Sequence, residues 1–124
     1  MSDLEQRLRT RLAQDLRTAL KSRETTRITA LRSMLAALDN AQAVPLAELP
    51  AVHALHGGIG EVPRKTLSDA ELVALFAAEL DERRAAAVML EKHGCQDEAE
   101  RLRAELEVLA DYAGEFRDSA AVGP

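Results

Sequence analysis

Aromatic side chains are almost missing from this chain: its 124 residues hold no Trp, one Tyr and two Phe. A surface that stacks the bases of single-stranded nucleic acid on successive rings is therefore not expected, and the core must be built from Leu and Ala. A single cysteine, Cys95, has no intrachain partner, and no catalytic thiol motif surrounds it. A reduced, cytoplasmic setting is expected. No apolar segment of signal-peptide type follows Met1, and the longest apolar run, Leu72 to Ala78, is far too short to span a bilayer. Neither export nor a membrane partner is expected.

Proline and glycine are also scarce, and half or more of each fall in residues 43–66, as Pro45, Pro50, Pro63, Gly57, Gly58 and Gly60. This concentration reads as a mobile connector. The run Gly57-Gly58-Ile59-Gly60 lacks the Lys-Ser/Thr of a phosphate-binding loop. His53 and His56 are spaced to share a helical face, yet no carboxylate or thiolate at ligand spacing stands beside them. No metal and no other cofactor is expected.

What remains is rich in Ala, Leu, Glu and Arg, with 47% apolar and 30% charged residues, a helix-forming composition for one domain. Leu4, Leu8, Leu12, Leu16 and Leu20 predict a helix over about 3–21. Ile28, Leu31, Leu35 and Leu38 predict a second over about 25–43, and the short polar link between them makes an antiparallel hairpin. Ser68-Asp69-Ala70-Glu71 has the form of a capping box, in which Ser68 and Glu71 each satisfy the other's backbone N–H. A long third helix is expected from there to His93, where Gly94 can take the left-handed conformation that ends it. A fourth follows with Asp97, Glu98 and Glu100 in its first turn and a stripe through Ala99, Leu102, Leu106, Leu109 and Ala113. The fold class is all-α, a small bundle of two antiparallel helix hairpins spanning residues 1–113, with 114–124 expected as a flexible tail.

Counting outwards from Gly94 places Ala99 beside Met89, Leu109 beside Leu80 and Tyr112 beside Phe76. The same counting predicts that Arg83 or Arg84 pairs with Glu105 or Glu107 across the seam.

Charge is divided unevenly along the chain. Residues 1–42 carry eight Lys/Arg against five Asp/Glu, whereas residues 67–124 carry six against fourteen, within a net charge of −5. An acidic whole disfavours indiscriminate nucleic-acid binding, but Arg7, Arg11, Arg17, Lys21, Arg23 and Arg27 form a candidate set for phosphates. The other reading of these six is a solvated helix face balanced by the acids of the second half.

In order and spacing the chain resembles the GatB/YqeY family. The resemblance lies in Asp15-Leu16, Ala19-Leu20-Lys21, Arg27-Ile28, Ala30-Leu31-Arg32, Leu35-Ala36-Ala37-Leu38 and Arg83-Arg84. It continues in Gly94, Asp97, Ala99-Glu100, Ala104-Glu105, Glu107-Val108-Leu109 and Tyr112. The chain departs from the family pattern at residues 43–66, where relatives have a short link, and after Tyr112, where Ala113-Gly114 replaces Leu-Pro and a further helical subdomain. The resemblance implies a helical accessory domain tied to glutamine-dependent tRNA amidation, with tRNA or an amidotransferase-related complex as partner.

The family label, carbon–nitrogen ligase with glutamine as amido-N-donor, belongs to the whole amidotransferase. This chain shows neither a nucleophile with a base partner nor a nucleotide site, so a noncatalytic role is expected. A protein-interaction or stability module with no RNA role is the alternative. Any leucine of the first helix left exposed would favour a homodimer.

Overall fold

A computed structural model describes residues 3–43 and 65–121, with side chains as far as Gly114 together with that of Phe116. The mobile connector expected over 43–66 lies outside the described residues except for 43, 65 and 66, and so do His53, His56 and the Gly57–Gly60 run. Those described residues form four helices and no strand: α1 (Asp3–Ser22), α2 (Thr25–Gln42), α3 (Asp69–Lys92) and α4 (Gln96–Ala121). The bundle is all-α, and its two hairpins are α1–α2 and α3–α4.

Local signals set the start of α3 and the two hairpin turns. Both halves of the capping box form: the Glu71 N–H donates to Ser68 Oγ at 3.1 Å and the Ser68 N–H donates to Glu71 Oε1 at 3.2 Å. That backbone donation holds the Glu71 carboxyl below its ordinary range. Leu67, just before the cap, and Leu72, four residues after it, are both buried in the core, as in a hydrophobic staple.

The two hairpin turns are closed by the same pair of bonds. After α3, Cys95 N–H donates to the Leu90 carbonyl at 2.8 Å and Gly94 N–H to Glu91 at 3.0 Å. After α1, Glu24 N–H donates to Ala19 at 3.0 Å and Arg23 N–H to Leu20 at 3.4 Å. This double closure needs a left-handed residue, supplied by Gly94 at φ 79° and by Arg23 at φ 56°.

Leu12, Leu31, Met34, Leu38, Leu72 and Leu109 are fully buried, and Leu4, Leu8, Phe76, Leu80 and Tyr112 complete one core shared by all four helices. At about 1.5–3 kcal/mol for each fully buried large apolar side chain, this core outweighs the ion pairs on the surface.

Three expectations are corrected. The last helix does not stop at Ala113: it passes through Gly114 to Ala121, and Phe116 is buried in the core. The register of the α3–α4 seam is displaced, since Phe76 meets Phe116, with ring centroids 5.4 Å apart, and Glu91 pairs with Arg103. Every Cα–Cβ bond leans towards its own helix N-terminus. In an antiparallel hairpin, α3 side chains therefore lean away from the turn and α4 side chains towards it, so partners on α4 lie further along than equal counting predicts. Met89 is correspondingly exposed while Ala99 is buried.

The third correction concerns Arg83 and Arg84. Arg83 Nη1 donates to Glu79 Oε2 at 2.8 Å and its Nη2 to Ser33 Oγ at 2.6 Å, tying α3 to α2. Arg84 pairs with Asp81, also at 2.8 Å. Both arginines find carboxylates one turn back on their own helix, which needs no reach across the seam. Glu105 faces Arg83 without bonding to it, and burial pushes its carboxyl above the ordinary range against the opposing pull of that guanidinium.

Candidate nucleic-acid interface

The apolar stripe Leu4, Leu8, Leu12 turns one face of α1 into the core; Arg17 and Lys21 point away from it and Arg7 stands on its flank, all three exposed. Arg23 and Arg27 extend that basic surface around the α1–α2 turn, and both are exposed. The helix period thus puts Arg17 and Lys21 on the outer side of α1, and the turn adds Arg23 at the same end, while Arg27 lies near enough to Tyr112 to act on its hydroxyl.

Their surroundings divide them. Arg7 lies 3.6 Å from Asp3, and Arg27 lies 3.8 Å from Glu24, each pair open to solvent. Arg17, Lys21 and Arg23 pair with no carboxylate among the described residues.

Arg11 stands apart from the set. Its guanidinium carbon sits 4.7 Å from the centroid of the Tyr112 ring, and its Nε is 3.6 Å from Asp15. The Tyr112 hydroxyl in turn donates to Asp15, so the three residues close a triangle that fastens α1 to α4. Burial, with the Asp15 hydrogen bond second, pushes the Tyr112 hydroxyl far above the ordinary tyrosine range. Arg11 therefore shapes this junction, and Tyr112 faces α1 where equal counting along the α3–α4 hairpin places it beside Phe76.

A second polar cluster falls outside the candidate set. Glu5 is fully buried, and Arg9 Nε donates to its Oε2 at 3.2 Å. Arg9 also donates to Asp39 at 2.9 Å and to the Gln42 side-chain carbonyl, while Gln42 Nε2 donates to Glu5 Oε1 at 2.8 Å. This network locks the start of α1 to the end of α2. The Gln42 backbone carbonyl accepts from Lys65 N–H at 2.8 Å, which brings the two ends flanking residues 44–64 together. The signal was present in the stripe: Gln42 occupies the next core-facing position after Leu31, Leu35 and Leu38, and a polar residue there requires a partner.

The chain matches no family model, no curated protein and no solved structure. Its function is read from its residues alone. Among the described residues no helix is long and apolar enough to cross a membrane. No buried side-chain nitrogen or oxygen among them lacks a hydrogen-bond partner, so the interior polar groups are committed to the fold. Charged side chains of both signs remain exposed, the cations Arg17, Lys21 and Arg23 among them.

Proposed function

We propose that the protein is a noncatalytic helical domain of the GatB/YqeY kind, which acts in the cytoplasm by binding tRNA in connection with the tRNA-dependent amidotransferase. One observation carries this reading: Arg17, Lys21 and Arg23 are exposed on the basic side of the α1–α2 hairpin and pair with no carboxylate among the described residues. Arg7 and Arg27 flank them with weak, solvent-exposed pairs that a phosphate can displace, since such pairs contribute at most about 1 kcal/mol.

Electrophoretic binding to bulk tRNA across a salt series tests the proposal. Three phosphate contacts give a slope of log K against log salt of roughly −2 to −3. Replacing Arg17, Lys21 and Arg23 together by Gln flattens that slope, whereas Arg11→Gln, at a structural junction, leaves it in place. Absence of binding at low salt, or a slope near zero, overturns the RNA reading.

A protein-interaction module with no RNA role is the second reading, favoured by exposed Val88 and Met89 on α3. A glutaminase assay on the purified chain addresses catalysis directly, and hydrolysis of glutamine would overturn the noncatalytic assignment.

A further inference from the structure

Ala77, Asp81, Arg84 and Val88 follow one another on α3 at steps of four, three and four, so they form a single row on one helix face. All four are exposed. Val88, 45% exposed, is a large aliphatic side chain with no cover. At the other end of the row, Ala77 opens on a cleft of about 270 Å³ between α3 and α4, walled by Val73, Phe76, Leu80, Ala113 and Phe116. Asp81 and Arg84 complete the lining of that cleft, and along α3 they lie between Ala77 and Val88.

This row is complementary to itself when reversed. Laid antiparallel about a twofold axis between Asp81 and Arg84, it sets Val88 of one copy against Ala77 of the other, at the mouth of the cleft. The same operation sets Asp81 against the partner's Arg84, twice. We propose that a second copy of this chain occupies the face, as an antiparallel α3–α3 homodimer in which Val88 fills the partner's cleft and the Asp81–Arg84 pairs are shared across the axis. A twofold contact of this kind requires one patch that carries both a feature and its complement, and this row does.

Charge supports the choice of partner. The net charge of −5 opposes self-association in general, so a contact between copies must use a locally balanced surface. One acid and one base at the centre of the row supply that balance. In the single chain Asp81 and Arg84 already bond at 2.8 Å while both stay largely exposed, so sharing them with a partner strips little water from either. Alanine at 77 lets the two helices approach closely. The site differs from the leucines of α1, which are turned into the core except for Leu20 near the turn.

Sedimentation equilibrium over a dilution series tests the proposal, with far-UV circular dichroism to show that each variant keeps its helices. The parent chain is expected to dimerise reversibly, and Val88→Asp to weaken the dimer at least tenfold. Asp81→Arg, which sets like charges together across the axis, also weakens it, and adding Arg84→Asp restores the parental constant. In a Cys95→Ser background, Ala77→Cys combined with Val88→Cys gives a disulfide-linked dimer under mild oxidation, whereas Ala77→Cys alone does not. A parent chain that stays monomeric up to roughly 100 μM overturns the proposal. So does a dimer that Val88→Asp leaves unchanged, or a charge swap that fails to restore what Asp81→Arg removes.

Discussion

The ring of Phe76 on α3 packs against that of Phe116 on α4 with centroids 5.4 Å apart and planes inclined by 55°. These are the only two phenylalanines in the chain, and both are buried. The contact closes the end of the bundle away from the α3–α4 turn, and it explains why α4 continues through Gly114, a residue that favours helix ends.

Phe116→Ala removes a ring from that closure and leaves a void against Phe76. A loss of about 3–5 kcal/mol is expected for a Phe→Ala change in a packed core. Urea unfolding followed at 222 nm checks it at a fixed protein concentration. A change within about 0.5 kcal/mol, the range of ordinary surface substitutions, would contradict the buried position of Phe116.

Tyr112 gives a reading of its own because the chain has one tyrosine and no tryptophan. Absorbance at 295 nm therefore follows a single ionisation. In the folded chain the hydroxyl is held far above its ordinary range by burial and by its bond to Asp15. The folded state thus binds the proton more tightly than the unfolded state, and the resulting stability is complete below the unfolded value near pH 10 and lost as pH rises through the folded value. Ionisation in native buffer is expected well above pH 10 and together with loss of helix, whereas in concentrated urea it returns to near pH 10. Tyr112→Phe removes the part of the alkaline sensitivity that belongs to this group. An ordinary tyrosine titration in the native chain would refute the assignment.

Much of the fold was legible from residue order, and the exceptions share a cause. The Ser68–Glu71 box, the Gly94 turn and the apolar stripes are local signals, written within a few residues of where they act. The buried position of Phe116 depends on what faces it from α3, so Gly114 alone could not set the end of α4. The displaced register has the same origin, because the lean of side chains acts on pairs far apart in sequence. Arg83 was legible as a structural residue but not by partner: Glu79 competes from one turn away, and Ser33 lies fifty positions earlier. In the candidate interface, Arg17 and Lys21 reach solvent as periodicity requires and Arg23 does so from the turn, while Arg11 is drawn to Tyr112 by a contact that no spacing on α1 reveals.

The two left-handed turn residues make a matched experiment. A Cβ added at Gly94 meets no atom within 4 Å, so Gly94→Ala costs only the backbone penalty of a left-handed L-residue, roughly 1–2 kcal/mol, less what the more restricted unfolded chain returns. Arg23 already bears that penalty at φ 56°. Arg23→Gly is expected to raise stability by a few tenths to about 1 kcal/mol. Opposite signs in thermal unfolding of the two variants confirm the shared closure. Equal signs would show that the turns are not equivalent.

The Glu5 network sets a final test, because a buried charge and its partners cost more to break than to replace together. Glu5 is inaccessible to solvent, while the Arg9 side chain keeps 19% of its exposure and a second carboxylate in Asp39. Glu5→Ala leaves Arg9 with Asp39 and some water but deprives Gln42 Nε2 of its acceptor in a buried position. The loss is therefore expected at the lower end for a broken buried pair, about 3 kcal/mol. Replacing Glu5 and Gln42 together by Leu and Arg9 by Met removes the buried groups together, takes Arg9 from Asp39 only at a solvent-exposed position, and is expected to recover most of that loss. Comparing the single variant with the triple in urea unfolding separates the two costs. If the triple variant is as unstable as Glu5→Ala, the hydrogen bonds themselves hold the ends of α1 and α2 together, and burial of apolar surface at that junction cannot substitute for them.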